Sequence, residues 1–340
     1  MTGRRLRVIA RGNIDVLRRW LSTLRYSRFE CNKNDDGDSM RRTNKIEIFR
    51  AESIAILFAL LLGTSAATAA EETSLGNVEE LRSRLSAMNP ASQCDWFIQS
   101  MSRQQLAKAS DAQLQAILQS LESSSLFCPV KRMTEQTPEY EFLMLRRERV
   151  KESDELPETP ERMFVRLRHE PLTIYARWEN GGMRAGQEVL YDAGKDSRKM
   201  LAHVGGLFGV VSMNVSVDGA LARAQSRHTV RDLGLVYILS QLEADLERKR
   251  ALNLPTRPAS TRVVRENGRR YAEVVYDNPG MPPYYAKQTR FWLDLREPMI
   301  RMVDSRDNDG LVFEHILFES IERKKLPVDA FDAKNPEYRF

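Results

Sequence analysis

Side chains that could carry chemistry are sparse in this chain, and their spacing limits what they can do. The four histidines are His169, His203, His228 and His315. None has a second histidine, a cysteine or an acid at ligand spacing on its own element, so structural or surface roles are expected rather than a metal site. No serine occupies a G-x-S-x-G elbow, and no serine or cysteine has a recognisable base nearby. Acids occur in pairs, Glu188 with Asp192 and Asp304 with Asp307, a pattern that solvated strand faces produce routinely. The run Gly205-Gly206-Leu207-Phe208-Gly209-Val210-Val211 is glycine-rich but lacks the lysine and helix start of a phosphate loop. The chain therefore reads as a non-enzyme, with no metal or cofactor implied.

Binding is the remaining chemistry. A site for an apolar ligand needs a concave apolar wall larger than the core alone requires. The candidate wall is Trp178, Val189 and Tyr191, joined by Phe291 and Leu293 from a later strand. Leu207, Phe208 and Val210 would suit a mobile flap over it, because glycine is disfavoured in an ordinary strand interior. The competing reading makes all of these ordinary core.

The elements that must position these residues fall into two stretches. Asn77 with Glu80, Ser102 with Gln105, and Ser110 with Gln113 each have the spacing of a helix start. Apolar residues at helical spacing follow, such as Leu114, Ile117, Leu118 and Leu121. Three short helices over 77–130 are expected, ended at Cys128-Pro129, with a boundary at 134–138. Beyond Pro138 the period changes to two. Tyr140, Phe142 and Met144 alternate with polar neighbours, and Met163, Val165 and Leu167 share a face. Pro171 interrupts the run from Met163 to Trp178 as a bulge or edge would. One long helix is expected after Thr229 and Asp232, with Leu235, Ile238, Leu239, Leu242 and Leu246 on one face. Turns at Asn267-Gly268, Asn278-Pro279-Gly280 and Asp309-Gly310 then mark an antiparallel meander.

The segment from Ser53 to Ala69 sets the compartment. An apolar run from Ile54 to Leu62 follows Arg50, and Ala67-Thr68-Ala69 has the A-x-A form of a cleavage site. A signal peptide over 40–69, cleaved near Ala69, is expected. The run falls short of the roughly 20 apolar residues a span needs, so no stable membrane span is expected after cleavage. An uncleaved anchor is the weaker alternative. Residues 1–39 read as the product of an upstream start or as an unusually long n-region.

Processing alters the composition. The whole chain has 52 Lys and Arg against 47 Asp and Glu, a net charge of +5. The first 69 residues hold 13 of those bases and 7 of the acids, which leaves −1 for the remainder. The basic charge belongs to the leader, and nucleic acid is not an expected partner. The clusters at Arg146-Arg147-Glu148-Arg149 and Arg323-Lys324-Lys325 are expected to be solvated. Cys94 and Cys128 remain, and export favours a disulfide between them over two free thiols.

The stretches RLRHEPLTIYARW (166–178), GQEVLYDAG (186–194) and LPVDAFDAKNPEYRF (326–340) resemble an uncharacterised family of exported bacterial domains. That family in turn is similar to the LolA-type fold of periplasmic lipoprotein carriers, whose late hairpin FWLDLREPMIRMVDSRDNDG (291–310) resembles. The resemblance covers residues 136–340 and implies an incomplete antiparallel barrel, covered by helices, with acyl chains on its concave face. It transfers no functional residues.

Together these readings predict an α+β protein. A small helical module over 77–130 precedes a large curved antiparallel sheet with a long helix packed on it, over 136–340. The function expected is a periplasmic or otherwise exported, soluble binding module for a lipid or other apolar molecule. The alternative is an envelope interaction or sensor protein whose helical module docks a partner protein.

Overall fold

The computed structural model describes residues 75–151, 155–204 and 212–340. The leader 1–39, the signal segment 40–69 and the flap residues Leu207, Phe208 and Val210 lie outside the described residues. The described residues open with five helices: α1 (Val78–Ser86), α2 (Pro90–Ser102), α3 (Gln105–Lys108), α4 (Asp111–Ser120) and α5 (Ser123–Gln136). The Asn77 side chain accepts from the Glu80 amide at 2.9 Å. Ser110 and Gln113 form the reciprocal capping box expected of them.

Two local expectations are corrected here. Ser102 ends α2, whose cap is Asn89 with Pro90 at the first helical position. Cys128-Pro129 does not terminate a helix either, because both lie inside α5. The missing proline N–H costs one intrahelical bond. Tertiary contacts offset that loss: Leu126, Phe127, Val130 and Met133 are buried, and Cys128 is disulfide-bonded to Cys94.

Among the described residues, eleven strands form one antiparallel sheet in the order β6-β5-β4-β3-β2-β1-β11-β10-β9-β8-β7. They are β1 (Glu139–Glu148), β2 (Glu161–Arg168), β3 (Thr173–Trp178), β4 (Glu188–Asp192), β5 (Lys199–His203) and β6 (Ser212–Ser216). The second half comprises β7 (Ser260–Glu266), β8 (Arg269–Asp277), β9 (Gln288–Asp294), β10 (Ile300–Arg306) and β11 (Val312–Arg323). The sheet is curved and does not close. Its first and last strands meet at the centre, with Tyr140 opposite Arg323 and Glu148 opposite Glu314. Pro171 does not mark a bulge; it sits in the turn between β2 and β3, which pair as a hairpin with Arg168 opposite Thr173.

Between β6 and β7 lie α6 (Ala220–Arg223), one 3₁₀ turn (Val230–Asp232) and α7 (Leu235–Ala251). The Thr229–Asp232 capping box belongs to the 3₁₀ turn. The long helix starts one step later, after Gly234 at φ 98°. A Cβ at Gly234 would stand 2.9 Å from the Tyr140 hydroxyl and 3.0 Å from Leu167 Cδ1. Glycine is therefore required both by the backbone angle and by the close approach to the sheet. Leu235, Leu239, Leu242 and Leu246 of α7 are buried against the inner face of the sheet. At its far end Lys249 donates to the Asp277 carbonyl at 2.5 Å.

One buried core runs through the helices and the sheet. Phe127 of α5 packs edge-on to Phe291 of β9, with ring centroids 5.0 Å apart. The edge strand β7 is covered by α4, whose Gln115 side chain donates to the Thr261 carbonyl at 2.7 Å. On the outer face, residues 326–340 lie across β2–β4, and Tyr338 stacks on Tyr175 at 3.7 Å. No helix among the described residues is long and apolar enough to cross a membrane.

Two stability measurements check this arrangement. Reducing Cys94–Cys128, which are 34 residues apart, should lower the unfolding free energy by roughly 3–4 kcal/mol in urea titrations. Gly234→Ala should cost about 1–3 kcal/mol, with a lowered midpoint and an unchanged slope.

Candidate functional site

The inner face of the central strands is apolar along most of its length and then becomes charged. On β1 the buried positions are Tyr140, Phe142, Met144, Arg146 and Glu148. On β2 the same face carries Glu161, Met163, Val165 and Leu167. On β11 it carries Glu314, Ile316 and Phe318. Strand periodicity of two thus turns ionisable groups inward. The expected solvated cluster at 146–149 is overturned, since Arg146 is 5 % exposed and Glu148 and Arg149 are each 8 % exposed.

These charges are neutralised within the protein. Arg146 donates to Glu161 through Nε at 2.9 Å and through an Nη at 2.7 Å. Arg184 reaches the other Glu161 oxygen at 2.9 Å. Arg149 pairs with Asp307 at the strand end. Glu148 accepts from the Ser226 hydroxyl at 2.9 Å and the Arg227 amide at 2.8 Å. His228 Nε2 lies 2.8 Å from Glu314, and the Tyr285 hydroxyl donates to the second Glu314 oxygen at 2.7 Å.

Glu148, His228 and Glu314 come from three different elements, with one ligand-type atom of each within 4.8 Å of the others. Sequence spacing within one element could not reveal this grouping. Two carboxylates and an imidazole suit a divalent cation in type. Each of the three is nevertheless already hydrogen-bonded inside the protein, and the Arg146 guanidinium stands 3.9 Å from Glu148. An internal charge network accounts for all three.

Burial on its own would push the His228 pKa down, but Glu314 and Glu148 outweigh it and the pKa is raised. Burial would likewise push Glu314 up, but His228, Tyr285 and Arg146 hold it below its usual value.

Two cavities meet at this network, both lined in part by Arg146, His228 and Leu233. One, of about 50 Å³, lies between α7 and the inner face of β1 and β8–β11, with Phe291, Tyr276, Phe318 and Leu242 in its wall. The other, of about 120 Å³, lies between β2–β6 and residues 221–233. Its wall includes Met163, Trp178, Val189, Met200 and Val215, and its rim includes Val204, Met213 and Leu221. All three rim residues are exposed, Leu221 at 58 %.

The predicted wall residues are thereby distributed. Trp178 and Val189 line the larger cavity and Phe291 the smaller. Tyr191 and Leu293 are buried core; the Tyr191 hydroxyl donates to the Ser197 carbonyl at 3.3 Å. Glu188, expected on a solvated face, is fully buried and accepts from the Tyr175 hydroxyl and the Arg339 amide, each at 3.1 Å. The sequence reading places Arg146 and Glu148 on a solvated face and does not single out Glu161 or Glu314. Their signal was charge falling in phase with the apolar face of a strand.

A family model described as "Protein of unknown function (DUF1571)" matches residues 137–340. The chain belongs to this family. The DUF1571 segment thus spans the whole sheet, both cavities and the charge network. No curated protein matches the sequence. Among solved structures, the chain is similar to an uncharacterised conserved protein from Thermus thermophilus, with 8 % identity and a TM-score of 0.35 over 62 % of this chain and 93 % of that one. It is similar to a LolA superfamily protein from Nitrosomonas europaea, with 9 % identity, a TM-score of 0.26, and coverage of 62 % and 97 %. It is also similar to the Mycobacterium tuberculosis lipoprotein LppX, with 10 % identity, a TM-score of 0.31, and coverage of 61 % and 100 %.

The charge network makes a prediction about pH. The raised His228 pKa contributes stability that is complete below its unfolded value of 6.5 and is lost as pH rises through the folded value. The lowered Glu314 pKa contributes stability present above 4.5 and lost as pH falls through its folded value. The urea midpoint should therefore fall as pH rises from 6.5 through the raised folded value of His228, and His228→Gln should flatten that fall.

Proposed function

We propose that the protein is an exported binding module that takes the apolar end of a lipid or acyl-type ligand into the larger cavity. The observation that carries this reading is the apolar wall of Met163, Trp178, Val189, Met200 and Val215, opening at an exposed apolar rim of Val204, Met213 and Leu221. An exposed apolar rim leading into an apolar interior is costly to keep in water and suits a ligand that covers it.

The size of the cavity defines the mode of binding. At about 120 Å³ it offers roughly ten water-sized positions. One chain end fits inside, and a longer ligand continues out through the rim. Export is supported by the signal-like segment 40–69 and by the Cys94–Cys128 disulfide, which an oxidising compartment preserves. The charge network closes the inner end of the cavity, with its hydrogen bonds made within the protein. It supplies no nucleophile and no free base to a ligand, so the reading is one of binding without catalysis.

The alternative, partner docking through the helices of 77–125, requires an exposed apolar patch there. Among the described residues, no large apolar side chain in that stretch is exposed.

Native mass spectrometry of the exported protein should find co-purifying lipid. Leu221→Asp, at an exposed rim position, should leave the unfolding free energy within about 0.5 kcal/mol of the wild type. It should also weaken binding of an alkyl-chain probe about tenfold or more, since it puts a charge at an apolar mouth. Lipid-free protein and an unaffected variant would together refute the proposal.

A further inference from the structure

The two edges of the open sheet differ in their protection. The β7 edge carries Arg262, Arg265 and Glu266 and is covered by α4. Charge and cover both keep a strand edge from pairing with another chain. The β6 edge, Ser-Met-Asn-Val-Ser over 212–216, has no charge, no proline and no bulge. Among the described residues β5 is its one neighbour in the sheet. Met213, Asn214 and Ser216 are exposed, Met213 at 42 %. The register shows which backbone groups face outward. Val217 donates to the Arg198 carbonyl at 2.9 Å, and Val215 and Met213 stand opposite Met200 and Ala202. Bonded and non-bonded pairs alternate in an antiparallel ladder, so Met213 and Val215 turn their backbone toward β5. Ser212, Asn214 and Ser216 turn theirs away from the sheet. Side chains alternate as well. Met213 and Val215 share the inner face, where both line the larger cavity, and the other three share the outer face.

An outward row of backbone donors and acceptors takes an added strand, and this strand matches itself. Run antiparallel about its centre, it sets Asn214 opposite Asn214, Ser212 opposite Ser216 and Met213 opposite Val215. Polar residues meet polar ones on the outer face, apolar residues meet apolar ones on the inner face, and no like charges meet. We propose that β6 pairs antiparallel with β6 of a second copy of this chain, about a two-fold axis at Asn214, and joins two open sheets into one. Such a pair is isologous, the commonest form of assembly. Asn214 then exchanges both backbone hydrogen bonds with its counterpart. Met213 packs against the second copy's Val215 in a closely spaced, non-hydrogen-bonded pair. Each copy thereby adds a residue to the rim of the other's larger cavity. Val204 and Leu221 lie outside β6, so the mouth they form stays available to a ligand. The pairing rests on the strand edge alone and does not need a ligand.

A strand of five residues spans about 17 Å, so the interface is small and the dimer weak. Sedimentation of the exported protein from about 1 to 300 µM should show monomer passing to dimer, with a midpoint on the order of 10 µM. Asn214→Lys and Asn214→Asp each set like charges against one another on the axis, at an exposed outer position. Each variant alone should dimerise about tenfold more weakly or worse, with an unchanged urea midpoint. Mixed in equal amounts, the two variants should pair with each other, since the opposed charges are then unlike. Should a variant not fold, the native protein still decides. Amide exchange at Ser212, Asn214 and Ser216 should slow as its concentration is raised, while exchange in β7 stays constant. A monomer across the whole range, or a dimer that both variants leave intact, would overturn the proposal. A monomer that still carries lipid would overturn the pairing and leave the apolar-ligand reading standing.

Discussion

Two carboxylates on neighbouring strands dominate the centre of this molecule. The pairing of β1 with β11 sets Glu148 directly opposite Glu314, with both side chains on the buried face of the sheet. Like charges opposed across an antiparallel pair are destabilising, and burial raises the cost further. The structure offsets this by bringing cations and donors to both groups. Arg146 comes from the same strand, two positions earlier. His228, Ser226 and the Arg227 amide come from the connection between β6 and α7, and Tyr285 from the approach to β9. The long connection is thereby tied to the sheet at one point, and α7 is laid across the inner face from there.

The position of the cavities is a consequence of that tie. On one side of it, α7 fills the space over β1 and β8–β11 and leaves about 50 Å³. On the other side only residues 221–233 cover the inner face of β2–β6, and about 120 Å³ remains with an open apolar rim. The outer face of β2–β4 is sealed by residues 326–340, through Tyr338 on Tyr175 and the backbone of Arg339 on Glu188. Any ligand space over β2–β4 must therefore lie on the inner side. The paired charges also separate the two cavities and leave the larger one neutral at its inner end.

Strand phase and helix periodicity were legible because each is a local property of the chain. The alternation at Met163, Val165 and Leu167, the Ser110–Gln113 box and the apolar face of α7 follow from spacing alone. Local signals failed where a distant contact outweighed them. Pro129 stays within α5 because its neighbours are buried and Cys128 is bridged to Cys94. Arg146 and Glu148 are buried because Glu161 and His228 reach them from elsewhere in the chain. Among the wall candidates, Trp178, Val189 and Phe291 reached a cavity, and Tyr191 and Leu293 did not. Apolar character marks the inner face of a strand but does not say which part of that face a covering helix leaves free.

Taken alone, the amino-acid sequence determined the antiparallel sheet and its inner face and the long amphipathic helix. Each of these depends on residues within about a dozen positions of one another. The tertiary structure alone decided that β1 and β11 are partners, that four inward charges are thereby mutually satisfied, and that β6 lies at an open edge. Those outcomes depend on which residues, more than a hundred positions apart in some pairs, are brought within hydrogen-bond reach, and a pattern of local spacing carries no information about that distance.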